Sequence, residues 1–136
     1  MKKLIKVCLL FAMILTISGC DSKTEDVIIA DFNSNLYTQA DYLSAVETVK
    51  TNFSKTVDGS KRTLREISYA GDEKTLAEQE YILSYGDYDE GIVPATTFDV
   101  GKSAGSLEPN STYTGWQWFL GRKNGESWKI VMQGYG

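Results

Sequence analysis

The sequence contains no histidine, and its two cysteines, Cys8 and Cys20, both lie within the first twenty residues. Histidine is the commonest general base and the commonest metal ligand in proteins. Its absence, and the lack of any thiol after Cys20, exclude Ser-His and Cys-His catalytic pairs and the usual zinc sites from the rest of the chain. We therefore expect no metal and no cofactor, and a fold that depends on its apolar core without disulfides.

The first nineteen residues have the pattern of an export signal. Two lysines follow the initial methionine, and an almost unbroken apolar run extends from Val7 to Ile17. The small residues Ser18 and Gly19 then precede Cys20. A positive start, an apolar stretch and a small-residue cleavage site indicate a secretory signal peptide. The apolar run is also shorter than the ~20 residues of a typical transmembrane helix.

The end of this segment, residues 17–20, resembles the bacterial lipobox, in which an aliphatic residue and two small residues precede a cysteine. The resemblance implies cleavage after Gly19 and acylation of the Cys20 sulfur, and two or more acyl chains anchor a protein stably to a membrane. An ordinary secreted protein and a retained transmembrane anchor are the alternatives. We predict a signal peptide over 1–19, a lipidated tether over 20–36, and one domain over 37–136.

The chain that remains after this cleavage is strongly acidic. Lys2, Lys3 and Lys6 leave with the signal, so 11 basic residues face all 18 acidic residues, a formal charge of −7. An acidic surface disfavours nucleic acids and anionic lipid head groups as partners. We therefore expect no nucleic-acid binding, and contact with the membrane only through the acylated Cys20.

The first part of the predicted domain contains one well-marked helix. Val27–Phe32 is too apolar to remain exposed, so we expect it to dock on the domain or on a partner. Thr38 and Asp41 have the spacing of a capping box. Apolar residues then recur at helical spacing, namely Tyr42, Ala45, Val46, Val49 and Phe53. The sequence predicts a helix over 39–57 that ends at Asp58-Gly59.

The middle of the chain predicts two strands and a second helix. Residues 62–69 have the pattern of a strand, with Thr63, Arg65, Ile67 and Tyr69 on one side. Residues 75–85 indicate a shorter helix, and 87–91 form an acidic turn. Residues 92–100 alternate as a strand, where Pro94 predicts an edge position or a bulge.

The last section predicts a β-hairpin. Asn124-Gly125 separates two aromatic-rich runs, 113–122 and 127–135, and this dipeptide is a strong hairpin signal. A two-residue turn would pair Trp118 with Val131, Phe119 with Ile130 and Gly121 with Trp128. It would put Trp116, Trp118, Leu120, Val131 and Tyr135 on one face, and Tyr113, Phe119, Trp128, Ile130 and Met132 on the other. Since both faces are apolar, we expect cover on both sides, or a cavity or contact surface on one.

These features occur in the same order in a known group of proteins. The chain combines the lipobox, a capped helix containing Asp41, Ala45, Val46, Val49 and Lys50, and a hairpin containing Trp116, Trp118, Trp128 and Tyr135. Over about residues 37–135 it resembles a family of small, uncharacterised lipoproteins from Gram-positive, clostridia-like bacteria. The order of elements is also similar to nuclear-transport-factor-like and cystatin-like folds. The resemblance implies an α+β fold, with an N-terminal helix packed on a curved antiparallel sheet that ends in a Trp-rich C-terminal hairpin.

Three residues are the candidates for ligand binding: Trp116, Trp118 and Tyr135. Exposed, they would form a stacking platform; the alternative is that they belong to the core. Several carboxylates could instead supply a general acid or a calcium ligand, namely Glu66, Asp72, Glu73, Asp87, Asp89, Glu90 and Asp99. For 87–90, a solvated acidic turn is the simpler interpretation.

The sequence supports three readings of function. The leading one is a membrane-anchored, extracytoplasmic, non-enzymatic domain that binds a partner protein or a small ligand through its Trp-rich sheet. The first alternative is a small isomerase or hydrolase that uses a buried aspartate such as Asp99 and a tyrosine in a conical cavity. The second is a structural protein of the cell envelope. No catalytic residue is predicted for the leading reading.

Overall fold

A computed structural model describes residues 22–23, 26–55, 61–102 and 105–135. The predictions that concern the signal peptide, Cys20 and the helix end at Asp58-Gly59 lie outside these residues. Within the described ranges, no helix is both long enough and apolar enough to cross a membrane.

The described residues form an α+β fold of two helices and seven short strands, which confirms the predicted class. The helices are α1 (Gln39–Ser54) and α2 (Asp72–Leu83). The strands are β1 (Ser22–Lys23), β2 (Ile28–Ile29), β3 (Arg62–Tyr69), β4 (Glu90–Ile92), β5 (Pro94–Val100), β6 (Thr112–Arg122) and β7 (Lys129–Tyr135).

The strands form one sheet with an antiparallel centre. β5 pairs with β3 on one side and β6 on the other, and β7 pairs with the far side of β6. β4 continues the line of β5 along the same side of β6, because Ile92 faces Leu120 as Ala95 faces Gln117. β1 and β2 add to β3 in parallel. The N-terminal strands and β7 therefore lie at opposite edges.

Helix α1 begins with the predicted capping box. The Thr38 hydroxyl accepts the Asp41 backbone N–H at 3.1 Å, and the Asp41 carboxylate accepts the Thr38 backbone N–H at 2.9 Å. All five residues of the predicted apolar face are buried against the sheet: Tyr42, Ala45, Val46, Val49 and Phe53. The predicted start of the helix and its buried face are thus confirmed. Its predicted extent to residue 57 is wrong, because the helix ends at Ser54 and Lys55 is its C-cap.

The face assignment in β3 was wrong. Its register against β5 shifts between Leu64 and Glu66, so the alternation of side chains changes within the strand. Arg62, Leu64 and Ile67 are buried, whereas Thr63 is half-buried and Arg65 is exposed. A β-bulge of this kind leaves no distinctive mark in the sequence, because it depends on the partner strand.

The boundaries of α2 and the position of Pro94 also differ from the prediction. The helix spans 72–83 instead of 75–85, because its first turn consists of polar residues that carry no apolar periodicity. Pro94 lies in β5, a central strand, so the predicted edge position is wrong. Proline is tolerated there because it is the first residue of the strand, directly after the break at Val93.

The hairpin turn forms as predicted, but its register does not. Asn124 and Gly125 have φ values of 54° and 71°, and the Glu126 N–H donates to the Lys123 carbonyl at 3.0 Å. β7 begins only at Lys129, which faces Gly121, and the register shifts again between Phe119 and Leu120. The observed pairs are Gly121–Lys129, Leu120–Ile130, Phe119–Met132, Trp118–Gln133 and Trp116–Tyr135.

This second shift leaves Val131 without a partner in β6 and moves residues between faces. Val131 packs with Phe119, Val93 and Ile82 of α2, whereas it was predicted to lie with Trp118. Conversely, Trp128 and Ile130 pack in the Trp118 core beneath α1, which corrects their predicted assignment. Tyr113 also packs in this core, because the register of β6 against β5 shifts between Trp116 and Tyr113. The expectation of cover on both faces is confirmed, because α1 packs on one side of the sheet and α2 on the other.

The segment before α1 is part of the domain, which corrects the predicted tether over 20–36. β2 pairs with β3, and the Ala30 N–H donates to the Ile67 carbonyl at 2.9 Å. Phe32 stacks on Tyr42 with ring centroids 4.5 Å apart. Val27–Phe32 therefore docks on the domain, as one of the two predicted alternatives required.

The Gly125→Val variant tests the turn. No atom lies within 4 Å of an added Cβ, so the cost comes from a β-branched residue forced to φ +71°. We expect a loss of about 1–2 kcal/mol in the free energy of unfolding, measured by urea denaturation. Asn124→Gly, at the neighbouring positive-φ position, is the control and should leave stability nearly unchanged. An unaltered midpoint for Gly125→Val would contradict this turn.

Candidate functional site

Trp118 belongs to the core and cannot form part of a contact surface. Its side chain is fully buried, with 0% exposure, and its Nε1–H donates to the Thr96 hydroxyl at 2.9 Å. A buried indole needs such a partner for its N–H group. Its prediction as a ligand-binding residue is therefore corrected.

The other two predicted residues, Trp116 and Tyr135, lie together near the end of the hairpin. Their ring centroids are 5.3 Å apart, and Tyr113 packs against both at 5.5 and 5.7 Å. The Trp116 Nε1–H donates to Gln133 at 3.1 Å, which fixes the indole. Trp116 is half-buried and Tyr135 is 57% exposed, so this cluster presents an aromatic surface to solvent.

A second aromatic cluster, which the sequence interpretation missed, lies on the opposite face beside β7. Tyr81 of α2 is 4.9 Å from the ring of Tyr85 and 5.9 Å from that of Phe119. The Tyr81 hydroxyl is 3.0 Å from the Tyr85 hydroxyl and 3.0 Å from the Met132 sulfur. The i,i+4 spacing of the two tyrosines was the available signal, since such pairs share one face of a helix.

We define the β7 rim as the exposed or half-exposed large side chains that border β7: Tyr81, Tyr85, Trp116, Met132 and Tyr135. Tyrosine, tryptophan and methionine are enriched at the centres of protein interfaces, where charged residues are depleted. Lys129 is the one charged residue of β7 itself. The rim is thus an exposed surface with the composition of a contact surface.

A polar groove separates α1 from the hairpin. It has a volume of about 500 Å³ and is lined by Glu47, Thr48, Thr51, Asn52, Lys55, Lys129 and Ile130. A smaller neighbouring recess of about 340 Å³ is lined by Ser44, Thr48, Arg122, Gly125, Glu126, Ser127 and Trp128. Six of the seven residues that line the larger groove are of polar or charged type, and Ile130 is the apolar one.

Arg122 joins α1, β4 and the hairpin in a buried ionic cluster. Its guanidinium donates to Asp41 at 2.9 Å and to Glu90 at 2.6 Å, and it lies 4.1 Å from the centre of the Trp128 ring. The Trp128 Nε1–H in turn donates to the Asp41 carbonyl at 3.2 Å. The Thr38 backbone N–H and the Arg122 guanidinium lower the pKa of Asp41. Beside this cluster, burial raises the pKa of Tyr37, whose hydroxyl donates to the Gly91 carbonyl.

Two of the carboxylates considered for acid–base chemistry, Asp99 and Asp72, hold internal hydrogen bonds. Asp99 accepts from Thr112 and from the exposed Arg65, and these bonds lower its pKa. Asp72 accepts from Ser34, Tyr69 and the Asn35 backbone N–H, which lower its pKa as well. An aspartate with a lowered pKa stays ionised at neutral pH and is a poor general acid.

The acidic turn is likewise used internally. Asp87 pairs with Lys123, Asp89 accepts the Asn124 backbone N–H, and Glu90 pairs with Arg122. In the part of the chain that the structure describes, no group of three or more Asp, Glu, Cys and His side chains is arranged to hold a metal ion. The carboxylates of this turn therefore orient the hairpin.

Comparisons with known proteins add no relative. No protein-family model, no curated protein and no solved structure matches the chain. The resemblance to small clostridia-like lipoproteins consequently stays a prediction, and the arguments below depend on the residues themselves.

The Asp41→Asn variant tests the ionic cluster. Because the folded-state pKa of Asp41 lies below its usual 3.8, the carboxylate stabilises the fold fully above pH 3.8 and loses this effect as the pH falls through the folded-state pKa. We expect the variant to lose about 1–2 kcal/mol of unfolding free energy at pH 7. Denaturation from pH 7 to 3 should show the difference from wild type shrinking below pH 4. A difference independent of pH would contradict this role.

Proposed function

We propose that this chain is a lipid-anchored extracytoplasmic lipoprotein whose domain binds a partner protein through the β7 rim. The signal pattern and the lipobox at Cys20 support the anchor. Four exposed side chains of the rim, with the half-buried Trp116 beside them, support the binding role. This rim is the one observation on which the binding part of the proposal depends.

The topology of the sheet suits an anchored binding module. β1 begins two residues after Cys20 and lies at one edge, whereas β7 lies at the other. Four strand spacings separate β1 from β7, a distance of about 19 Å. An anchor attached beside β1 would leave the rim at the far side of the domain, where it is accessible to another protein.

The shape of the rim favours a protein over a small ligand. Its two clusters lie on opposite faces of β7, so no single small molecule could contact both. The side chains are also held in place by one another, as in the contacts of Tyr81 with Tyr85 and Met132. Aromatic side chains fixed before binding lose little conformational entropy on association, which favours tight contact.

The Cys20→Ala variant tests the anchor. Acylation requires the Cys20 sulfur, so we expect the variant to leave the membrane fraction or to accumulate with its signal uncleaved. Cell fractionation and mass spectrometry of the N-terminus would measure both effects. Cys8→Ala, which changes the other cysteine, is the matched control and should leave the acylated product unchanged. Mass spectrometry that finds no acyl chain at the N-terminus of the mature wild-type protein would contradict the proposed anchor.

Site-specific photo-crosslinking tests the rim. A photoreactive amino acid at Tyr85 or Tyr135 in the full chain should yield one discrete covalent adduct in intact cells. Arg65 on β3 is the control position, because its side chain is 59% exposed and lies away from β7. A second arm with Tyr135→Ser and the probe at Tyr85 should reduce the yield of the adduct. Equal adducts at Arg65, or none at the two rim positions, would contradict binding through the rim.

A further inference from the structure

The α2 side of the rim forms a continuous surface, which we name the tyrosine face and define as Tyr81, Tyr85 and Met132. Tyr81 contacts both other residues, and its ring packs edge-on against Phe119 at 5.9 Å. Tyr85 is 57% exposed and Met132 38% exposed. Tyr81 is therefore held in place by its neighbours, and the side chains of Tyr85 and Met132 are accessible to solvent beside it.

The chain around this face is the most acidic part of the domain. Residues 72–90 contain seven acidic side chains and a single basic one, Lys74. Most of the seven have internal partners. Glu78 pairs with Lys74, Asp87 with Lys123, and Glu90 with Arg122. Asp72 and Asp89 accept hydrogen bonds at the start of α2 and at the hairpin turn.

Two other carboxylates of α2 are not paired with a cation inside the described part of the protein. Glu73 and Glu80 are exposed, and in the described part of the chain neither pairs with a cation. Glu80 immediately precedes Tyr81 in the sequence. The hydrogen bond with Tyr85 is the main cause that raises the pKa of the Tyr81 hydroxyl, and the charge of Glu78 adds a smaller effect in the same direction. The helix that carries Tyr81 thus also carries two exposed carboxylates, Glu73 and Glu80, that are not paired with a cation in the described residues.

We infer that the tyrosine face binds a lysine- or arginine-rich segment of a partner protein, an inference that rests on the proposed function and names the chemistry of the partner. Cationic side chains are attracted to the faces of tyrosine rings, most strongly when partly desolvated. The uncompensated carboxylates would steer such a segment toward the face and discriminate against acidic competitors. Apolar parts of the same segment would pack on the exposed ring of Tyr85 and the thioether of Met132.

The same observations disfavour other occupants. A second copy would bring the carboxylates of α2 against each other, since a symmetric contact places each face on itself. An anionic lipid surface would be repelled for the same reason. Addition of a strand to β7 is hindered by the unpaired Val131 and by Gly134, whose φ of +153° interrupts the regular edge. The contact therefore uses side chains.

Fluorescence anisotropy with the full chain in neutral detergent tests the inference, whether or not the chain is acylated. The probes are a labelled lysine–leucine peptide and a matched peptide with glutamate at every lysine. We expect the lysine peptide to bind and the glutamate peptide not to bind, with affinity falling as salt rises. Tyr85→Ala and Glu80→Lys should each weaken binding about 5-fold. Circular dichroism would establish that both variants remain folded.

Glu108→Lys is the matched control, because it makes the same change in net charge at an exposed loop residue. If Glu108→Lys weakens binding as much as Glu80→Lys, or if the glutamate peptide binds equally, the tyrosine face is not the site. Failure of the lysine peptide to bind would overturn this inference while adducts at Tyr85 and Tyr135 still supported the rim. Binding of the peptide without such adducts would instead overturn the proposed function, and with it the partner protein, and would leave only the preference of the tyrosine face for cationic peptides.

Discussion

The arrangement of the domain depends on the buried cation of Arg122. Its guanidinium holds the start of α1 through Asp41 and the start of β4 through Glu90, and it packs on the ring of Trp128 beyond the hairpin turn. A buried charge is tolerated only when it keeps its partners, and removal of one partner is costly. These contacts fix α1 against one end of the hairpin, and with it the core that buries Trp118.

The parts of the fold that could be read from the sequence are those that short-range chemistry determines. The capping box requires only Thr38 and Asp41, three residues apart, and the positive φ values at Asn124 and Gly125 follow from the dipeptide itself. The Arg122–Asp41 ion pair could not be predicted from the sequence, because 81 positions separate the two residues. Nothing local distinguishes Asp41 as an ion-pair partner from Asp41 as a helix cap, and it serves both purposes.

Only one part of the candidate site, the cluster that contains Trp116 and Tyr135, could be predicted from the sequence. Alternation correctly grouped Trp116 with Trp118, yet their burial differs because Trp116 lies opposite Tyr135 near the end of the hairpin, whereas Trp118 lies further inside the core. The cluster around Tyr81 escaped prediction because it forms only where α2 meets β7. A register shift moves Val131 to the α2 face, and a shift depends on the pairing of two strands rather than on either strand alone.

That same irregularity connects the fold to the proposed role of the rim. An exposed edge strand with a continuous apolar pattern invites uncontrolled pairing with other chains, and a bulge is one device that prevents it. In β7 the bulge also puts two consecutive residues on the α2 side, with Val131 packed against Phe119 and Met132 in contact with the Tyr81 hydroxyl. The edge therefore loses its regular backbone template while large side chains remain exposed on both faces. A partner that recognises this edge must recognise side chains, and specificity can then depend on their identity.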